Sequence, residues 1–255
     1  MNSYPFAIGA FLCIFGGSLA GLFFQKHLPA HHLSKESQDS VKVGAGLIAT
    51  MAALILGLLV SSAKGTFDRV DALVNEVAAD VITLDRSLAD LGPESAAARV
   101  ALREQASRVL KTVWPEEVNS SPTGSKAYLQ QARIMPFVQI ISSMPVGDAA
   151  SQEHKSFALR VAEDLATKRS QISVEATSKL PVPLLVIPIF WITFLTFVYG
   201  LFAPRNATVT LVLFFCAVSI AGAVYLICEM STPLDGAIKV PSQPFRTALE
   251  MIGPA

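Results

Sequence analysis

Four long stretches of this 255-residue chain contain no charged side chain. They are Met1–Gln25, Val43–Ala63, Leu180–Pro204 and Asn206–Cys228. A helix needs about 20 predominantly apolar residues to cross the hydrocarbon core of a bilayer, and each stretch supplies that length. Backbone polar groups in lipid must be satisfied within the segment, so each stretch is predicted to be helical. We therefore predict an all-α integral membrane protein with four transmembrane helices.

The predicted helices divide the chain into a hairpin, a soluble insertion, a second hairpin and a tail. The predicted N-terminal transmembrane hairpin is 1–64, with helices at about 5–24 and 43–63. A soluble helical domain follows at 65–180. The C-terminal hairpin is 181–229, with helices at about 182–203 and 208–229, and 230–255 is a soluble tail. The first stretch lacks a positive n-region and exceeds the usual signal-peptide core of about 7–15 apolar residues, so we expect it to be retained.

An apolar seam continues the second uncharged stretch into the soluble domain. At alternating steps of three and four, thirteen apolar positions follow one another: Ala49, Ala53, Leu56, Val60, Ala63, Phe67, Val70, Val74, Val77, Val81, Leu84, Leu88 and Leu91. This spacing predicts one long helix that leaves the bilayer and packs one seam against neighbours. Two partners stay open, namely further copies of the chain around a pore and later helices of the same subunit. The small side chains in the membrane half of the seam suit contacts between subunits around a central axis. The bulkier side chains in its soluble half suit contacts within the subunit.

The soluble domain is predicted to be entirely helical. Gly92-Pro93 ends the long helix, since Gly caps a C-terminus and Pro cannot continue it, while Pro93 suits the first turn of the next helix. That helix ends near Trp114-Pro115, and Asn119–Ser125 is a loop by composition. A third helix, about Lys126–Ser143, is kinked or broken at Pro136. Asp148 or Ser151 caps a fourth helix that runs to about Ser178.

Charge excludes one class of function and orients the chain. The 20 basic and 20 acidic residues leave no net charge and no basic face, which argues against nucleic-acid binding. Acids along the long helix are predicted to be solvated salt-bridge partners on an exposed face: Asp68, Asp71, Asp80 and Asp85. Membrane-proximal basic residues on the side of the soluble domain are Lys64, Arg69, Lys168, Arg169, Lys179, Lys239 and Arg246, against Lys26, Lys35, Lys42 and Arg205 opposite. The positive-inside rule therefore predicts that the soluble domain and both termini lie in the cytoplasm.

Small residues follow one line of the second membrane helix: Gly46, Thr50, Ala53, Gly57 and Ser61. Such a line can form a tight helix contact, or it can keep a pore open where several copies converge. Leu56, Val60 and Phe67 on the adjoining stripe could then form constrictions that close by dewetting. The candidate pore-lining residues are Thr50, Ala53, Leu56, Gly57, Val60, Ser61 and Phe67.

Other membrane features point to packing or anchoring. Gly17-x-x-x-Gly21 lets two helix backbones approach closely. Thr193 and Thr196 are expected to bond carbonyls one turn back rather than line a polar path. The membrane-edge charges are Lys64, Arg205 and Glu229. Arg205 is predicted to anchor at the lipid headgroups, and Glu229 is either a functional acid or a solvated helix-end residue.

No pattern indicates an enzyme, a metal site or a cofactor site. His27, His31 and His32 form the one metal-like cluster, but Pro29 interrupts it and no HExxH motif occurs. No phosphate-binding loop or nucleophile motif is present in the sequence. A membrane enzyme would have to use the histidine loop or Glu229.

The chain resembles the bestrophin-like integral membrane proteins. The resemblance rests on Gly46–Lys64, Trp114-Pro115, Pro181-Val-Pro183 with Phe190-Trp191, and above all Gly200-Leu-Phe-Ala-Pro-Arg-Asn-Ala-Thr208. It implies four membrane helices with a helical cytosolic insertion between the second and third. Bestrophins themselves are pentameric channels, mostly for anions, with the second helix lining the pore. This chain has Leu, Val, Ala and Gly in place of an aromatic-rich neck, and no acidic cluster suggests a calcium clasp.

The sequence is compatible with two functions. The first is a homo-oligomeric ion channel, pentameric by analogy, with the second membrane helix lining the axis. The second is a non-conducting membrane scaffold or accessory subunit that acts through its helical soluble domain. Both place the protein in the lipid bilayer. They differ in whether the seam packs between subunits or within one subunit.

Overall fold

The computed structural model describes residues 3–27, 29, 35–115, 136–145, 147–177 and 181–253. Its α-helices are α1 Ser3–Phe24, α2 Lys35–Asp90, α3 Ala96–Val113, α4 Pro136–Ser143, α5 Ala149–Thr177, α6 Val182–Phe202, α7 Ala207–Met230 and α8 Gln243–Ile252. The described residues contain no strand. The predicted all-α fold is therefore confirmed.

Within the described ranges four helices are long and apolar enough to cross a membrane, namely α1, α2, α6 and α7. The chain forms two compact units. The membrane unit comprises the described parts of Met1–Gly65 and Lys179–Ser231, and the second unit comprises those of Thr66–Ser178 and Thr232–Ala255.

A close contact between α1 and α6 organises the membrane unit. A Cβ atom on Gly21 would overlap the backbone of Phe197, and one on Gly200 would overlap the backbone of Ser18. The Thr196 hydroxyl donates to the Ile14 carbonyl across this interface, at 3.0 Å. Small residues let the two backbones meet, which confirms that Gly17-x-x-x-Gly21 is a packing motif.

α2 is one helix of 56 residues, which confirms the single long helix predicted from the seam. It ends at Asp90, and Gly92 adopts a positive φ of 77° that glycine reaches without steric cost. Pro93 then opens a short 3₁₀ turn that leads into α3. Ser95 is fully buried there, and its hydroxyl donates to the carbonyls of Leu88 and Gly92. The predicted Gly-Pro stop is therefore confirmed.

The soluble half of the seam is buried inside the second unit. Six of its positions are at most 3% exposed: Val70, Val74, Val77, Val81, Leu84 and Leu88. They join one apolar core with residues from α3, α4, α5 and α8. This half therefore packs within the subunit.

The segment after α7, which was predicted to be a soluble tail, contributes to the same core. Leu234, Val240, Phe245, Ala248 and Ile252 are all buried. The Trp114 indole Nε1 donates to the Val240 carbonyl at 2.8 Å, and its ring centroid lies 5.8 Å from that of Phe245. Sequence patterns gave no sign of this docking, because α8 is only ten residues long.

α5 begins immediately after Asp148, as predicted for its cap. Hydrogen bonds from the Ser151 hydroxyl and from backbone N–H groups in the first turn lower the pKa of Asp148. The helix predicted at 126–143 is described only from Pro136, where α4 starts. The predicted loop at 119–125 lies outside the described residues.

Candidate functional site: the exposed face of α2

The part of α2 in the membrane unit is buried along one line only. Ala45, Ala52, Leu59 and Ala63 are each at most 4% exposed. At 100° per residue, the small-residue line centred on Thr50 and Gly57 lies on the opposite side of the helix. Thr50, Ala53, Gly57 and Ser61 are all exposed, and a Cβ on Gly57 would meet no atom within 4 Å. The packing of the membrane unit thus leaves the small-residue face uncovered.

The larger candidates are divided between different surroundings. Val60 is 42% exposed and borders the small-residue line. Leu56 is half-buried against the core of the membrane unit, and Phe67 is half-buried against the core of the second unit. Of the seven candidates, five therefore lie on exposed surface and two are partly covered within the subunit.

The buried line departs from the seam because α-helical and heptad periods differ. A strict seven-residue repeat drifts by about 20° per turn of the repeat on a straight helix. Over the four heptads from Val81 back to Ala53 the rotation adds up to about 80°. This is close to the angle of about 100° between neighbouring residues of an α-helix. The buried positions consequently shift to Ala52 and Leu59, and Ala53 and Val60 turn outward.

The exposed face has three polar side chains within the uncharged stretch, namely Thr50, Ser61 and Ser62. The Thr50 hydroxyl donates to the Leu47 carbonyl at 2.8 Å, so it is satisfied within the helix. Large apolar side chains flank the small line on one side, with Leu47, Leu54 and Leu58 each at least 65% exposed. Lys64 is the first charge after the stretch, and it is exposed on the same side as Gly57. The face can contact lipid, another helix or a narrow apolar passage.

Arg205 has a more specific role than the predicted headgroup anchor. Its Nη2 donates to the Leu22 carbonyl at 2.5 Å and to the Phe23 carbonyl at 3.5 Å, and its Nε donates to Gln25 Oε1 at 3.2 Å. A cation at a helix C-terminus satisfies orphan carbonyls and opposes the helix dipole. Arg205 therefore ties the α6–α7 turn to the end of α1.

Glu229 is buried, with an exposed fraction of 2%. Of the two alternatives predicted for it, the solvated helix-end residue is therefore wrong. The side chain of Tyr225, one turn earlier on α7, neighbours both Glu229 and Tyr4. The Tyr4 and Tyr225 rings lie 5.4 Å apart. The acid is thus part of a polar contact between α1 and α7.

The threonines of α6 behave as predicted. The Thr193 hydroxyl donates to the Ile189 carbonyl at 2.7 Å, and that of Thr196 donates to Thr193 as well as to Ile14. Among the described residues no group of His, Cys, Asp and Glu side chains could hold a metal ion. His31 and His32 of the predicted histidine cluster lie outside the described residues.

A comparison with protein families identifies the chain. The model of the Bestrophin-like domain matches residues 12–245, which is nearly the whole sequence. The chain belongs to the Bestrophin-like family.

Its fold is also that of solved bacterial bestrophin homologues. One variant structure from Klebsiella pneumoniae has a TM-score of 0.64 at 15% identity, covering 97% of this chain and 99% of the other. The homologue from the same organism solved by Zn-SAD phasing has a TM-score of 0.61 at 13% identity, covering 96% of each chain. A comparison with curated proteins found no match.

Two charged clusters in the second unit of this Bestrophin-like protein have partners that the sequence did not identify. Asp85 is 5% exposed, which makes its predicted place on a solvated face wrong. Lys168 lies 2.8 Å from both Asp80 and Asp164 and 3.4 Å from Glu76. Hydrogen bonds to Asp164 and Asp80 raise the pKa of Lys168 above its usual range. Asp85 pairs with Arg99 and Arg103 of α3, and Lys168 of α5 pairs with Asp80 of α2, so spacing within one helix could not reveal either cluster.

Proposed function

We propose that this Bestrophin-like protein is a homo-oligomeric ion channel in which copies of α2 surround the central axis. The observation that carries the proposal is the uncovered small-residue face of α2 at Thr50, Ala53, Gly57 and Ser61. Membership of the Bestrophin-like family supports a channel, and the resemblance to bestrophins implies that the second helix lines the pore. By the same analogy the assembly is a pentamer.

The chemistry of this face favours a narrow apolar passage. Small side chains leave room near an axis, while aliphatic ones exclude water and gate by dewetting. Val60, at 42% exposure, borders the small line and is the best placed aliphatic candidate. We place the tightest apolar ring between Ala53 and Phe67.

The burial of the soluble half of the seam limits where subunits can meet through α2. Val70 and Leu88 are both fully buried within the subunit. Contacts around the axis would therefore use the face between Gly46 and Lys64, and the seam beyond Phe67 would hold each subunit's own helices together.

The same burial is what favours the alternative, a non-conducting scaffold or accessory subunit. If within-subunit packing explains the whole long helix, no axial assembly is needed. The scaffold predicts a monomer or dimer without conductance, and the channel predicts a higher closed oligomer. Native mass spectrometry of purified protein separates the two, and a monomer in both detergent and lipid would exclude the channel.

Conduction is tested by cysteine accessibility in planar bilayers. In a background lacking Cys13, Cys216 and Cys228, Ser61→Cys should become sensitive to a charged methanethiosulfonate reagent, with current reduced several-fold. Val212→Cys on α7 is the matched control, since Val212 is also exposed, at 56%, but lies on another helix. Absence of current across salts and voltages, or equal sensitivity of both variants, would count against the channel.

We further propose that the protein lies in a bacterial inner membrane, with the second unit and both termini in the cytoplasm. The asymmetry of basic residues supports this orientation. Single cysteines at Lys26 and at Lys111 report the two sides. An impermeant thiol reagent applied to spheroplasts should label the first variant and spare the second.

A further inference from the structure

The end of the membrane unit where α1 stops and α6 turns into α7 is basic. Lys26, His27 and Arg205 are all exposed there. The sequence has no acidic residue from Met1 to Lys35, and none from Leu180 to Cys228. The next acids along the chain begin α2, where Asp39 forms an ion pair with Lys42 at 3.8 Å. Both segments that form this end therefore contribute only positive charge.

Hydrogen bonds bring the two segments together and fix the guanidinium group. The Gln25 amide Nε2 donates to the Ala203 carbonyl at 3.2 Å, while Gln25 Oε1 accepts from Arg205 Nε. Lys26 follows Gln25 directly, so it lies at the same end as Arg205. A guanidinium carries five N–H donors, and the contacts with the chain engage Nε and Nη2. The arginine is thus held in place before any ligand arrives.

Exposed aromatic rings lie next to these charges. Phe23 is 61% exposed and Phe24 is 51% exposed. The Phe23 ring lies 5.3 Å from that of His27, and the Phe24 ring lies 6.2 Å from that of Phe197 on α6. The exposed phenyl rings therefore place apolar surface directly beside positive charge.

We propose that this end of the membrane unit binds the headgroup of an anionic phospholipid. Lys26 and Arg205 would contact the phosphate, since a guanidinium pairs with phosphate oxygens in a fixed geometry and an ammonium acts as a point charge. The acyl chain beside that phosphate would lie against Phe23 and Phe24. This site is independent of conduction, because it uses no residue of the exposed α2 face.

Thermal unfolding of the full chain in detergent tests the site. Phosphatidylglycerol added to the micelles should raise the Tm by about 2–4 °C relative to phosphatidylcholine, given the usual attraction of a few basic residues to an anionic headgroup. The rise should shrink at high salt, because the charges are exposed and screened. In Lys26→Gln it should fall by about half or more, whereas Lys111→Gln, the same change on an exposed lysine of α3, should keep it.

Arg205→Lys separates binding from folding, since it retains the charge and loses the two-point contact with α1. Its lipid-induced rise in Tm should be smaller than that of the wild type even where its starting Tm is lower. An equal rise with phosphatidylcholine, or an undiminished rise in both Lys26→Gln and Arg205→Lys, would overturn the proposal. Glycerol phosphate without acyl chains should leave the Tm unchanged, and a full-sized rise with it would assign the site to a free phosphate ester instead.

Discussion

The Arg99 guanidinium holds Asp85 in a two-point ion pair, with Nε 2.9 Å from Oδ1 and Nη2 2.7 Å from Oδ2. Arg103 approaches the same carboxylate at 3.5 Å. Because the Asp85 side chain is 7% exposed, these contacts are shielded from solvent more than those of a surface pair. The hydrogen bond to Asp85 raises the pKa of Arg99. The pair joins α2 to α3 beside the buried Leu84 and Leu88.

Removing the carboxylate is expected to destabilise the protein substantially. Asp85→Ala leaves Arg99 and Arg103 close together without their shared partner, and breaking a buried ion pair costs about 3–5 kcal/mol. Glu104→Ala is the control, because the Glu104–Arg108 pair is exposed on both sides and such pairs contribute about 0–1 kcal/mol. Chemical unfolding followed by circular dichroism measures both. Equal losses in the two variants would show that burial of Asp85 contributes nothing.

Periodicity predicted the helices but could not identify every partner. The seam from Val70 to Leu88 is buried as predicted, because an apolar stripe specifies which face of a helix packs. Asp85 follows the buried Leu84, and the sequence alone predicts a surface acid at this position. The sequence does not show that Arg99 of α3 lies opposite the carboxylate. The docking of Val240 on Trp114 is invisible for the same reason, since the two residues are 126 positions apart.

The candidate site was only partly predictable. The small residues of α2 were identifiable from their spacing, and four of them are exposed. Leu56 and Phe67 share the heptad spacing of the seam but are partly covered, because at these two positions the seam still faces the packed side of the helix. Arg205 can cap α1 only because the end of α1 lies beside the α6–α7 turn. The residues around Arg205 in the sequence do not indicate that proximity.

Glycines at the α1–α6 contact should tolerate no side chain. In Gly21→Ala the new methyl group would meet the backbone of Phe197, and in Gly200→Ala that of Ser18. Backbone cannot rotate away as a side chain does, so each change should cost about 1–3 kcal/mol or more. Gly9→Ala and Gly16→Ala are matched controls on α1, because a Cβ at either position meets nothing within 4 Å. Thermal unfolding in detergent should lower the Tm of the first pair alone.

The cap of α5 should make stability depend on pH in the acidic range. The pKa of Asp148 is lowered by the Ser151 hydroxyl and nearby N–H groups, so the folded state favours the ionised carboxyl. Such a group contributes stability above its unfolded pKa of about 3.9, and the contribution is lost as pH falls through the lower folded value. Asp148→Asn should therefore unfold more readily than the wild type at pH 7. Urea titrations should show the gap closing below about pH 4, and a gap independent of pH would rule out the charge as its cause.

Val60 gives the sharpest test of an apolar constriction on α2. Threonine has nearly the shape of valine but carries a hydroxyl, so Val60→Thr would lower the barrier to wetting without widening a passage. We expect single-channel conductance in planar bilayers to rise severalfold if copies of Val60 face the axis. Val218→Thr on α7 is the control, because Val218 is equally exposed, at 43% against 42%, yet lies on a helix assigned no role in the pore. Unchanged conductance in Val60→Thr, or the same rise in both variants, would place the constriction elsewhere. A rise confined to Val60→Thr requires that position to face permeating water, because the added hydroxyl changes polarity far more than volume.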